Sequence, residues 1–104
     1  MTDREAIQRL SVNTGDFSAV SWLHHNNAEV IHGVVARYFG TGEAADRAEC
    51  VLMQRIAERA RSYERQESPG EWLARCATSE CDLLRNEAIH DKANMSMGEG
   101  HSHG

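Results

Sequence analysis

One proline, Pro69, stands in a chain of 104 residues, and on both sides of it apolar residues recur at spacings of three and four. Proline is the residue that most firmly stops a helix. A chain with so few forced breaks and no period-two alternation is expected to be all-α. The expected architecture is a small bundle of three main helices with a short N-terminal helix before them. Thr2-Asp3-Arg4-Glu5 has the form of a capping box ahead of Ile7 and Leu10, and Asn13-Thr14-Gly15 ends that segment. Asp16 is a good N-cap for the next, whose apolar residues are Phe17, Val20, Leu23, Val30, Ile31, Val34, Val35 and Tyr38. The polar run His24-His25-Asn26-Asn27 in its middle reads as one exposed turn or as a break, and Gly40 is a natural C-cap.

The third segment opens at Thr41 or Gly42. Ala44, Ala45, Ala48, Val51, Leu52, Ile56, Ala60 and Tyr63 make its apolar stripe, opposite a mixed-charge face. A polar loop, Glu64 to Glu67, follows. Ser68-Pro69-Gly70-Glu71 is a second capping box, with proline at the favoured first helical position. The last helix is expected from about Pro69 to about Ala88, with Leu73, Cys76, Ala77, Leu83 and Leu84 inward and Trp72 and Cys81 flanking. Beyond His90 the periodicity stops. The expected organisation is an N-terminal segment over 1–15, a helical domain over 16–89 and a disordered tail over 90–104.

A hydrophobic content of 40% places the chain among folding sequences. The net charge of −5 argues against a non-specific nucleic-acid binder, since neutralising phosphates takes basic residues. It suits a protein partner better. Three irregularly spaced cysteines, Cys50, Cys76 and Cys81, and the lack of a secretory apolar run point to a cytoplasmic protein with reduced thiols and no membrane span.

The order of parts is more specific than any one of them. A helix beginning Asp16-Phe17 ends in Tyr38-Phe39-Gly40. Glu43-Ala44-Ala45-Asp46 heads an amphipathic helix, and a polar loop leads to Trp72-Leu73 and then Asp82-Leu83-Leu84-Arg85. Over about Asp16 to Ala88 this resembles region 2 of the sigma-70 family, most like the small extracytoplasmic-function sigma factors. The resemblance implies a transcription initiation protein whose Asp46 helix docks on core RNA polymerase, with Asp46, Arg47, Glu49 and Arg55 as contacts. It also implies promoter DNA at the −10 element as a second partner, met by the loop and last helix through Tyr63, Arg65, Gln66, Arg75 and Arg85. An anti-sigma-type protein is a further partner of that class. No second DNA-binding domain is present, so the chain is one domain of a longer factor or a stand-alone relative.

The chain departs from the family pattern in ways that favour a second reading. Glu49 stands where the family usually has glutamine, and Cys76-Ala77-Thr78-Ser79 lacks the family's Arg-Asn. From Ser68 to Ile89 the acids Glu71, Glu80, Asp82 and Glu87 outnumber Arg75 and Arg85. A helical protein-interaction module that never touches DNA, a degenerate sigma-like regulator, fits that charge. A metal- or redox-responsive sensor using the histidines and cysteines is a third class. For that class His25 and His32, seven apart, would share a helix face but sit two turns from each other. Neither an i,i+4 His pair nor a Cys-x-x-Cys knuckle is present, so no metal or other cofactor is expected. No nucleophile is paired with a base in a recognisable motif, and the chain is not expected to be an enzyme.

Overall fold

The computed structural model describes the backbone of residues 1–103 and the side chains of residues 1–89. The expected tail over 90–104 lies outside those described side chains. Five α-helices are present among the described residues: α1 Asp3–Val12, α2 Phe17–Asn26, α3 Ala28–Phe39, α4 Glu43–Glu58 and α5 Pro69–His103. A 3-10 turn, Arg59–Ser62, continues α4, and no strand occurs among the described residues. The all-α class is as expected. The count differs because the second segment is two helices and not one.

The helix starts follow local chemistry. Thr2 Oγ1 accepts from the Glu5 backbone N–H at 3.1 Å, and Asp16 accepts from Ala19 N–H at 3.1 Å. The Asp16 carboxyl is held below its ordinary pKa by that backbone donor and by Arg9, whose guanidinium makes a two-pronged contact at 2.9 and 3.2 Å. Gly40 and Gly42 carry φ of 71° and 119°, and this pair turns the chain from α3 into α4.

The break between α2 and α3 falls at Asn27, which ends one helix and begins the next. Its amide nitrogen donates to Leu23 O at 2.9 Å and to Asp3 of α1 at 3.0 Å, and Asn26 reaches the same Asp3 oxygen at 3.1 Å. The polar run therefore stitches the break to α1.

One core holds the five helices together. It runs from Ala6, Ile7 and Leu10 of α1 through Leu23, Ile31, Leu52 and Ile56 to Trp72, Leu73, Cys76 and Cys81 of α5. Helix α5 packs on α3 and α4, while α1 packs on α2 and the 3-10 turn. Several apolar residues expected inside lie outside. Phe17 is 79% exposed, because Ala19 and Leu23 set the inner face of α2 and Phe17 lies about 200° round from Ala19. Leu83 is 49% exposed, whereas Trp72 and Cys81, expected only to flank, are fully buried. Ala44 and Val51 also face out, and Ala45 and Leu52 take the core side of α4.

All three thiols are free. Burial raises Cys81 to about 11, with Glu80 adding to the shift, and burial also raises Cys76. The thiolate is the reactive form, so these two are inert in the folded state, and Cys50 is exposed. Native protein is expected to release one fast equivalent from a chromogenic disulfide reagent, with the other two appearing only in denaturant. Two fast equivalents in native buffer would mean that the α5 face opens readily.

Candidate functional site

The face of α4 turned to solvent is one candidate surface. Glu43, Arg47, Cys50, Gln54 and Glu58 form a stripe along it, flanked by Asp46 and Val51, and all are exposed. This is an arc free of core contacts on a helix whose opposite side is anchored by Leu52 and Ile56. Its charges are three acids and one arginine.

The other two residues assigned to that helix surface are engaged within the fold. Arg55 makes a bidentate pair with Glu87 of α5, at 3.2 and 3.0 Å, and lies 3.7 Å from Glu80. Its pKa is raised by the Glu87 carboxylate, and the Glu87 carboxyl is correspondingly lowered by Arg55. Arg59 joins the same group, 3.1 Å from Glu80. This network bolts α4 to α5. Glu49 turns away from the stripe and is taken up by two histidines.

The residues assigned to DNA are divided. Tyr63 is half-buried, edge-on to Trp72 at 5.6 Å between ring centroids. Its hydroxyl donates to Glu67 O at 2.8 Å and accepts from Arg4 Nε at 3.1 Å, so α1 and the loop use both its capacities. Arg75 pairs with Glu67 at 3.1 Å. Gln66 donates to Glu64 at 3.2 Å, and Arg65 is exposed beside it. Arg85 stacks over the Tyr38 ring at 4.8 Å and meets Asp82 at 3.5 Å. The groove between the loop and the head of α5 is lined by Glu67 and Glu71 as well as Trp72 and Arg75. Arg75 and Arg85 are each brought together with an acid and not with each other.

A second cluster was not anticipated. Nε2 of His24 and Nε2 of His32 both reach Oε2 of Glu49, at 2.8 and 2.9 Å. The rings stand nearly perpendicular, at 88°, with centroids 6.3 Å apart. The sequence reading paired His25 with His32, which is right for one straight helix, since seven residues return almost to the same azimuth. The break at Asn27 redirects α2, leaving His25 in solvent and turning His24 onto His32. The polar run was the available signal, but its geometry depends on the angle at the break.

No protein-family model, curated protein or solved structure matches the chain.

Proposed function

We propose that this chain is a sigma-like transcription protein that docks on core RNA polymerase through the solvent face of α4. The observation that carries the reading is the free arc around Asp46 and Arg47 on an otherwise core-anchored helix. It falls on the helix that the sigma region 2 resemblance assigns to polymerase. A rigid helix presenting charged side chains from fixed positions is suited to docking, because little backbone entropy is lost on binding.

Docking without DNA contact is the form of this reading that the geometry favours. Of the side chains assigned to DNA, Arg75 and Arg85 each meet a carboxylate of the same chain and Tyr63 has its hydroxyl satisfied twice, while Arg65 is exposed. To bind phosphates the paired side chains would first have to leave their partners, in a surface of net negative charge.

The test is retention of core RNA polymerase on the immobilised chain. Asp46→Ala and Arg47→Ala are each expected to weaken retention about tenfold, the scale of a contact worth about 1.4 kcal/mol. Arg55→Ala is a poor probe, since it unbolts α5. Wild type that does not retain polymerase, or exposed-face variants that retain it equally, would remove the reading. Adding a −10 promoter fragment separates the two forms: no steep salt-dependent gain is expected.

A further inference from the structure

We propose that His24, His32 and Glu49 form a binding site for a borderline divalent transition-metal ion, Zn²⁺ foremost, bridging α2, α3 and α4. The site is independent of the docking reading and uses none of the residues on the free arc.

The case begins with convergence. Three ligand-type side chains from three helices bring one donor atom each to within 4.8 Å of one another. Both imidazoles aim Nε2 at the same carboxylate oxygen. Glu49 is 15% exposed at its side chain and, among the described residues, its side-chain partners are these two histidines and no arginine or lysine. A carboxylate this enclosed and served by imidazoles alone is unlike the arginine-paired Glu80 and Glu87 nearby.

The donor set then selects the ion. Two imidazole nitrogens and one carboxylate oxygen suit Zn²⁺, Co²⁺ or Fe²⁺, and leave a fourth position for water. Ca²⁺ and Mg²⁺ prefer all-oxygen sites and are poorly served. Around a tetrahedral Zn²⁺ the ligand atoms are roughly 3.4 Å apart, given metal–ligand bonds near 2.1 Å. The present 2.8 and 2.9 Å N–O separations therefore open by about half an ångström on loading, and the two Nε2 atoms, now within 4.8 Å of each other, settle near the same spacing. His32 is 61% exposed and His24 37%, so the ion has an entry path and the fourth position faces solvent.

Proton balance is simple. A neutral imidazole that carries its proton on Nε2 donates it to Glu49. Loading places the metal on Nε2, and each ring proton moves to Nδ1 through solvent, with no net release. An imidazolium would release one proton on binding.

The tail sequence His101-Ser102-His103 could capture metal by itself, so the experiment is run on the full chain and on its His101→Ala/His103→Ala variant. Zn²⁺ alone is titrated by calorimetry, and Co²⁺ by its visible bands. One equivalent is expected in the tail variant, with the strong bands of four-coordinate Co²⁺ and a higher melting temperature in Zn²⁺, and at least one in the full chain. In the tail variant, His24→Ala, His32→Ala and Glu49→Gln should each weaken binding at least about 100-fold, and His25→Ala should leave it unchanged. Glu49→Gln keeps the side-chain shape, so its loss would report ligation rather than misfolding. The proposal fails if the tail variant binds no metal, if the three site variants bind as tightly as their parent, or if His25→Ala abolishes binding. Any of these leaves the cluster as paired hydrogen bonds only.

Discussion

Trp72→Ala is expected to cost about 3–5 kcal/mol of folding stability, the usual range for emptying a buried aromatic site. Trp72 is 2% exposed, lies at the head of α5 and packs edge-on against Tyr63. Domains of this size are stable by about 5–15 kcal/mol, so the variant would be close to unfolding. The loss extends beyond the cavity. Tyr63 is held by Trp72 on one side and by Arg4 and Glu67 on the other, so the loop and α1 lose a shared anchor. Urea unfolding followed by far-ultraviolet circular dichroism gives the number. Trp72→Phe should recover most of it, because an aromatic plane remains against Tyr63. A cost below about 1 kcal/mol for Trp72→Ala would mean that the head of α5 collapses without penalty and that the aromatic pair holds little.

The second large effect is expected at the α4–α5 bolt. Glu80 is 8% exposed and faces Arg59 at 3.1 Å and Arg55 at 3.7 Å. Removing one member of a fully buried pair costs several kcal/mol, but here both arginines reach water, with side chains 38% and 29% exposed. The expected loss for Glu80→Ala is therefore about 1–2 kcal/mol. Arg59→Ala should cost at least as much, since it leaves the buried carboxylate with only the longer contact to Arg55. A double-mutant cycle on Arg59 and Glu80 should show coupling above about 0.5 kcal/mol. Additive losses would place the stability of this contact in packing and not in charge.

The parts of this protein that were legible in the sequence are those decided within four residues of chain. Thr2, Asp16 and Gly40 end up as the caps their residue types predict, because a cap is a hydrogen bond, or a backbone angle, at one helix end. The inner face of α4, around Leu52 and Ile56, follows from the 3.6-residue period. The residues that went astray are of another kind. Phe17 and Leu83 carry the right periodicity and the wrong azimuth, since which arc of a helix is covered depends on where its neighbours lie.

The charged groups show the same limit. Arg55 and Glu87 are 32 positions apart, and His32 and Glu49 are 17 apart. Nothing in either local stretch announces its partner. Asn26 and Asn27 are the hinge of the matter: as a polar run they signalled a turn or a break, and only their bonds to Asp3 of α1 make it a break. By itself the sequence determined an all-helical chain, several of its helix caps and an acidic net charge, because periodicity, capping and net charge are local or summed properties. The tertiary structure alone decided that Glu49 meets two histidines and that Arg55 and Arg59 meet acids of α5, because those meetings depend on the angles between packed helices.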